Sequence, residues 1–260
     1  MTHLSPGTLA LLALTAFAAG VVDAVAGGGG LITLPALLAA GLPPHMALGT
    51  NKGQSVWGSG AALVSYARAG LVRADRARIT FPLGLLGAVA GAWLLLQVPA
   101  DALKPLVLGL LVAVAVFLAF RPKLAPPAAS AHDALARPPV RPAVAGAVAF
   151  SIALYDGFFG PGTGTFLILC FVLLLHETAL RASAEAKVVN FASNLASCGL
   201  FAAAGMVEWR AALPMAAGQF LGATLGARLT VRKGDDLVRR IVLLVVLGTS
   251  AKLAFDLWRA

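Results

Sequence analysis

A lysine followed by two neutral polar residues at spacing i, i+3 and i+7 occurs twice in the chain, as Lys52, Ser55 and Ser59 and as Lys187, Asn190 and Asn194. On a helix, this spacing places each set on one face. A lysine supplies positive charge, and hydroxyl and amide groups supply neutral hydrogen-bond donors, which together suit a dehydrated oxyanion. We therefore interpret the two faces as halves of one substrate-binding site, with Asn51 as a further contributor. The alternative for Lys52, about 8 Å from the start of its helix, is that its ammonium group reaches the membrane surface.

Two glycine-rich runs, 27–30 and 160–164, each follow an aspartate by a few residues. Glycines allow backbone N–H groups to approach a ligand closely, and the start of a following helix favours an anion. We expect Leu31 and Thr165 to begin those helices. The predicted substrate contacts in the two runs are Gly28, Gly29, Gly30, Gly162, Thr163 and Gly164. The alternative is that the runs are tight turns or sites of close helix packing.

The two aspartates, Asp23 and Asp156, lie within apolar segments. Ionisable residues in such segments are costly to bury and are usually functional. We interpret both as residues that line the site and as candidate proton carriers. The alternative is that each caps the helix that follows it.

The composition excludes a water-soluble globular protein. Of 260 residues, 59% are hydrophobic and 12% are charged, whereas soluble domains have about 45–50% and about 25%. The formal net charge of +9 comes from Lys and Arg residues that fall mainly between apolar runs. This pattern is typical of loops at a membrane surface and not of nucleic-acid binding.

The residues of the chain support no enzyme, cofactor or metal function. Cys170 and Cys198 lie 28 positions apart in apolar segments, which indicates neither a metal cluster nor a disulfide scaffold. His45 and His176 have no nucleophile or second metal ligand nearby in the sequence. A membrane-embedded enzyme would need such a set of residues, so we expect no catalytic residues.

Six apolar stretches approach the roughly 20 residues that a spanning helix needs: 47–69, 79–97, 103–120, 183–205, 211–229 and 237–257. Two further pairs are less regular, 8–26 with 31–40 and 143–159 with 165–175. The second member of each pair is too short to cross comfortably. The sequence therefore predicts an all-α polytopic membrane protein, in which each half has about five segments that include a glycine-rich interrupted or re-entrant pair.

The two halves resemble each other. Residues 23–30 match 156–163 at an offset of 133, and from Lys52 onward the offset is 135. Several matches at one offset indicate a duplication, with a first membrane repeat at 1–121, a cytoplasmic linker at 122–142 and a second membrane repeat at 143–260. At the second offset, the pair Gly87 and Gly91 matches Gly222 and Gly226. We interpret both pairs as sites of close helix packing.

Loop charges predict that the repeats are inverted. In the first half, the basic loop joins the third and fourth segments; in the second half, it joins the fourth and fifth. Because cytoplasmic loops are enriched in Lys and Arg, the equivalent loops lie on opposite sides of the membrane, and both termini lie outside. Inverted repeats with interrupted segments are a recurrent design of secondary transporters.

The longest motifs are Val22-Asp23 through the glycine run to Leu34-Pro35, Ala47-Leu-Gly-Thr-Asn-Lys52, Tyr155-Asp-Gly-Phe-Phe-Gly-Pro-Gly-Thr-Gly164 and Ala186-Lys-Val-Val-Asn-Phe-Ala-Ser-Asn194. In these motifs, and over nearly its whole length, the chain resembles the sulfite exporter TauE/SafE family. One departure is Glu185, in a segment where the family usually has a Gly-Thr-x-Lys sequence. This departure places Glu185 near the predicted site. The alternatives for it are a contribution to the site, a pair with Lys187 and a position at the membrane interface.

The resemblance implies export of small sulfur-containing anions, such as sulfite or organosulfonates, coupled to an ion gradient and not to ATP. We therefore expect a multi-pass secondary transporter of the bacterial inner membrane that works by alternating access, with a small anion and the lipid bilayer as its partners. The alternatives are a transporter of other small organic anions and a non-transporting membrane scaffold. In a scaffold, Lys52 and Lys187 would matter only for stability.

Overall fold

The computed structural model describes residues 4–120, residues 142–234 and Leu237, and within these residues all regular structure is α-helical. The helices are α1 (Pro6–Ala26), α2 (Gly30–Ala39), α3 (Pro44–Arg68), α4 (Ala74–Leu96), α5 (Ala100–Phe120), α6 (Pro142–Phe158), α7 (Thr163–Leu174), α8 (Ala179–Ala203) and α9 (Trp209–Lys233). The predicted all-α class is confirmed. The predicted linker, apart from its last residue, and the predicted segment 237–257, apart from its first, lie outside the described residues.

The helices correspond to the apolar segments of the sequence, with ends displaced by a few residues. Gly27, with φ 76°, ends α1, and a hydrogen bond from the Leu31 N–H to the Gly28 carbonyl closes the turn into α2. That turn makes Gly30 the first residue of α2, and a similar turn makes Thr163 the first residue of α7. The predicted starts at Leu31 and Thr165 are therefore wrong by one and two residues.

Length separates the helices into two groups. At 1.5 Å per residue, α2 is about 15 Å long and α7 about 18 Å, whereas the hydrocarbon core of a bilayer is about 30 Å thick. Among the described residues, the helices Pro6–Ala26 and Ala74–Leu96 are long and apolar enough to cross a membrane by length and composition. Helices α3, α8 and α9 have 25 residues each. Buried polar side chains lower the hydropathy of α3 and α8, and charged residues near both ends lower the hydropathy of α9.

The longest helix contacts are made between the two halves and not within each half. Helix α1 packs along α9, and α6 packs along α4, so that the first helix of each half lies against the fourth helix of the other. On α4, Gly87 and Gly91 contact the backbone of α6, and on α9, Gly222 and Gly226 contact the backbone of α1. A Cβ atom at any of these four positions would overlap a carbonyl oxygen of the facing helix. The interpretation of these glycines as packing sites is confirmed.

Side chains from three other helices fix the end of α1 at the centre of the protein. The hydroxyl groups of Tyr66, Ser183 and Thr165 donate to the carbonyl oxygens of Ala24, Val25 and Ala26, at 2.9, 3.0 and 2.8 Å. These carbonyls have no partner within their own helix, because a helix leaves its last four acceptors free. The bonds place the first glycine-rich run beside α3, α7 and α8.

Candidate functional site

Two buried ion pairs form the centre of the site, and each joins the two halves. The Lys52 Nζ atom lies 2.7 Å from the Asp156 Oδ1 atom, and the Lys187 Nζ atom lies 2.7 Å from the Asp23 Oδ2 atom. Each lysine thus pairs with the aspartate of the opposite half. Lys52 does not reach the surface, since its side chain is only 3% exposed, so the alternative that its ammonium group extends to the membrane surface is wrong.

The carboxylate of Asp156 is closely surrounded by donors. Its Oδ1 atom accepts a hydrogen bond from the Thr163 hydroxyl at 2.8 Å, and its Oδ2 atom accepts one from the Ser193 hydroxyl. Gly160 packs against the ion pair, because a Cβ atom there would lie 3.0 Å from the Lys52 Nζ atom and 3.2 Å from the Asp156 Oδ1 atom. Gly160 also has φ +99°, a conformation that glycine adopts without steric cost.

Asp23 has fewer donors and is more open than Asp156. Among the described residues, its carboxylate accepts one hydrogen bond besides that from Lys187, from the Gly29 N–H at 3.2 Å. Its side chain is 15% exposed, compared with 4% for Asp156. At the positions equivalent to Thr163 and Ser193, the first half has Gly30 and Gly58, which have no hydroxyl group. The two ion pairs are therefore chemically different although their positions correspond.

Both aspartates contact the start of the short helix that follows, Asp23 through the Gly29 N–H and Asp156 through the Thr163 hydroxyl. Neither α2 nor α7 has a side-chain cap hydrogen bond, so the capping alternative is wrong. Both aspartates line a small cavity. The cavity has a volume of about 20 Å³, which is enough for about one water molecule. Its walls are formed by Asp23, Gly27, Gly30, Asn51, Lys52, Ser55, Asp156, Gly160, Thr163, Gly164, Asn190 and Asn194. The structure therefore brings most of the predicted site residues together around one space.

Five predicted substrate contacts lie behind the cavity wall: Lys187, Ser59, Gly28, Gly29 and Gly162. Lys187 is completely buried against Asp23, and the Ser59 hydroxyl donates to the Ser55 carbonyl at 2.8 Å. Gly28 and Gly29 form the turn that begins α2, and Gly162 packs against Val114.

Gly27 and Gly160 line the cavity but were absent from the predicted site. They are equivalent at the offset of 133 residues, which is the signal that could have identified them. Gly27 lies against Gly164 of the other half, and Gly30 lies against Pro161. The two glycine-rich runs therefore meet backbone to backbone at the centre of the protein.

Hydrogen-bond donors without partners surround the cavity. In the part of the chain that the structure describes, the N–H groups of Gly30 and Gly164 donate to no carbonyl or side-chain acceptor. Both lie in the first turn of a helix, where N–H groups are free and the helix dipole favours an anion. The Asn51 Oδ1 atom accepts from Thr33 at 2.6 Å and from Gln54 at 3.2 Å, which leaves its amide N–H₂ group as a donor near Gly30.

Further contacts between equivalent positions join the halves outside the cavity. The Asn194 Nδ2 atom donates to the Ser59 Oγ atom at 3.4 Å, and these residues are equivalent at the offset of 135. The Arg73 N–H donates to the Glu185 Oε1 atom at 2.8 Å, and the Glu208 N–H donates to the Thr50 hydroxyl oxygen at 2.9 Å. Glu185 does not pair with Lys187, because Lys187 is held by Asp23; of the alternatives for Glu185, the pairing with Lys187 is therefore wrong.

An apolar helical chain that buries two ion pairs around a polar space is typical of membrane proteins that handle polar solutes. A family model described as "Sulfite exporter TauE/SafE" matches residues 12–253. The chain is a membrane transporter that belongs to this family.

Similar proteins cover almost the same length. A probable membrane transporter protein (ORF9) from Sinorhizobium sp is 40% identical over 98% of this chain and 96% of its own length. The probable membrane transporter protein YfcA of Escherichia coli K12 is 38% identical over 97% of this chain and 91% of its own. A probable membrane transporter protein of Haemophilus influenzae is 38% identical over 95% of each chain. No solved structure matches the chain.

Proposed function

We propose that this protein is a multi-pass secondary transporter of the bacterial inner membrane that exports a small sulfur-containing anion, such as sulfite or an organosulfonate. The observation that carries the proposal is the pair of crossed lysine–aspartate contacts around a cavity between two helix starts. The family description supports a sulfur oxyanion as the substrate class. Transport is driven by an ion gradient.

The geometry suggests how the site accommodates an anion. Two lysines face two aspartates, so their formal charges already balance. An anion of one or two charges therefore enters with the least electrostatic cost when an aspartate takes up a proton or moves away from its lysine. Asp23 and Asp156 are the candidate proton carriers. Proton binding and anion binding are thereby linked, and the gradients across the membrane set the direction of net movement.

The anion is held by groups from both halves. Lys52 and Lys187 supply positive charge once they are released from the aspartates. Neutral donors that replace water are the side chains of Asn51, Ser55, Ser59, Asn190 and Asn194 and the backbone or hydroxyl groups of Gly28, Gly29, Gly30, Gly162, Thr163 and Gly164. Ser59, Lys187 and three of these glycines lie behind the cavity wall, so their participation requires the site to widen.

Widening is also required because a cavity of about 20 Å³ is too small for an oxyanion with several heavy atoms. The described conformation is therefore closed around its site. The crossed contacts support two inverted repeats, with α2 and α7 as re-entrant helices. The loop charges support a cytoplasmic linker and termini that lie outside. In alternating access, one repeat rocks against the other about the fixed site.

Flux measurements with purified protein in liposomes test the proposal. Sulfite, thiosulfate, sulfate and sulfoacetate are offered with and without a pH gradient, to the wild type and to folded Lys52→Ala and Lys187→Ala variants. The matched control is Lys104→Ala, because Lys104 is exposed on α5 and lies outside the site. We expect flux of a sulfur anion that is lost in both site variants and kept in the control.

Other outcomes reject specific parts of the proposal. If folded wild-type protein moves none of these anions but moves carboxylates, the sulfur assignment is wrong. If it moves no anion at all, the result favours a role as a non-transporting membrane scaffold. Normal flux in both site variants would contradict the crossed ion pairs as the anion site.

A further inference from the structure

Glu185 is a buried carboxyl group outside the cavity. The residue is 1% exposed, and its Oε1 atom accepts a hydrogen bond from the Arg73 N–H at 2.8 Å. Its Oε2 atom is buried and has no hydrogen-bond partner among the described residues. An ionised carboxylate with an unpartnered oxygen in such a place is strongly disfavoured.

The charged groups that face Glu185 are all engaged by other residues. They are Arg73 and Arg76, where α4 begins, and Glu177, in the loop before α8. The Arg73 guanidinium group pairs with Asp75 at 2.7 Å, and the Arg76 guanidinium group pairs with Glu177 at 2.7 Å. Glu185 therefore has no cation of its own within the described structure.

The other half of the protein makes the same contact without a charge. Thr50 is equivalent to Glu185, and its hydroxyl oxygen accepts a hydrogen bond from the N–H of Glu208, which is equivalent to Arg73. The hydrogen bond that holds α8 to the start of α4 therefore does not need a carboxyl group. What Glu185 adds is a buried carboxyl group that accepts the hydrogen bond itself and can bind and release a proton. At the other contact, the carboxyl group of Glu208 takes no part in this hydrogen bond and accepts one from the Arg210 N–H.

We propose that Glu185 is a proton-binding residue that controls opening between α8 and the start of α4. In the closed state, Glu185 is neutral, with a proton on the Oε2 atom, while the Oε1 atom accepts from the Arg73 N–H. When α8 separates from the start of α4, water reaches the carboxyl group, the O–H bond breaks and the proton passes to that water. High pH therefore favours opening at this contact and leaves the Thr50 contact unchanged.

The proposal rests on the proposed transport function for its biological meaning, but it is tested without substrate. The reporter is a single cysteine at Val72, which packs against the cluster that contains Ala184, in a background with Cys170 and Cys198 replaced by serine. Labelling by a membrane-impermeant maleimide is followed in detergent between about pH 5 and about pH 9. A second reporter at the exposed Ala69 corrects for the thiol chemistry itself.

After this correction, we expect labelling at Val72 to increase by about tenfold from the acid to the alkaline end, which corresponds to about 1.4 kcal/mol between the two conformations. Glu185→Thr, which installs the residue of the other half, should abolish the increase, and so should the isosteric Glu185→Gln. The proposal would be overturned if labelling increased equally in both variants and in the reporter protein with Glu185 unchanged. It would also be overturned if labelling of the reporter protein with Glu185 unchanged did not increase. Flux of sulfur anions by the wild type is a separate measurement, so failure of the transport proposal is distinguishable from failure of this one.

Discussion

Removing one member of the Lys52–Asp156 pair should cost more stability than removing the charges of both. The side chains of Lys52 and Asp156 are 3% and 4% exposed, so Lys52→Met leaves a buried carboxylate without its cation. Loss of one partner of a buried ion pair costs about 3–5 kcal/mol, whereas replacement of both by uncharged groups of similar size is often nearly neutral. We therefore expect the free energy of unfolding of the double variant Lys52→Met/Asp156→Asn to exceed that of Lys52→Met alone by at least about 2 kcal/mol.

The choice of asparagine keeps a hydrogen-bond partner for two neighbouring hydroxyl groups. The Thr163 hydroxyl donates to the Oδ1 atom of Asp156 and the Ser193 hydroxyl to the Oδ2 atom. In asparagine, the amide oxygen accepts from one of these hydroxyls, and the amide N–H₂ group donates to the oxygen of the other, without a negative charge. Unfolding by denaturant in detergent micelles, followed by tryptophan fluorescence, provides the free energies of the wild type, both single variants and the double variant. These four values form a double-mutant cycle that isolates the interaction between the two residues.

The exposed pair of Arg73 and Asp75 serves as the control. Its side chains are 46% and 68% exposed, and exposed pairs contribute at most about 1 kcal/mol. The cycle of Arg73→Gln and Asp75→Asn should therefore show little coupling. If the losses at Lys52 and Asp156 simply add in the double variant, the two groups do not stabilise each other, and the electrostatic description of the site is wrong.

Three further predictions concern single positions. Gly160→Ala should abolish flux because its Cβ atom would press on the Lys52 ammonium group. Gly70→Ala also places alanine at a positive φ, +70°, but in open space; it carries backbone strain of about 1–2 kcal/mol without such a contact and should transport normally. Equal flux in the two variants would argue against the contact. Gly91→Val should prevent accumulation of folded protein, measured by size-exclusion chromatography, because the valine side chain would overlap the backbone of α6. In the control Gly109→Val, the side chain faces open space, and the variant should fold. A folded Gly91→Val variant would show that α4 and α6 can separate. Ser193→Ala removes a hydrogen bond to a carboxylate and should lower the free energy of unfolding by about 1.5–3 kcal/mol; an unchanged value would mean that Asp156 does not depend on this hydroxyl.

The sequence predicted the helices well because their apolar runs are long and separated by loops rich in Pro, Gly and charge. Hydropathy is less informative for α3 and α8, which face the centre of the protein. There Lys52 and Lys187 are at most 2% exposed, and their charges are matched by aspartates that hydropathy does not record. The repeated spacing of these polar groups identified both helices as site helices.

The pairing across the halves could not be predicted. The offset of 135 residues shows that Lys52 and Lys187 are equivalent, but equivalence does not say which surfaces meet. Asp23 and Lys52 could equally have paired within the first half. The choice depends on the packing of α3 against α8 and on the backbone contact between Gly27 and Gly164, which are long-range features of the tertiary structure.

The packing of each half against the other has a consequence for how the protein is made. Helix α1 leaves the ribosome before its glycine-lined partner surface on α9, which follows roughly 200 residues later, or about 10–40 seconds of synthesis at ~5–20 residues per second. During this interval, the first half is inserted with its inner surface uncovered, and its buried charges have no counterparts. Biogenesis therefore depends on holding an unfinished first half until the second half arrives, and two separately expressed halves should assemble with each other better than either persists alone.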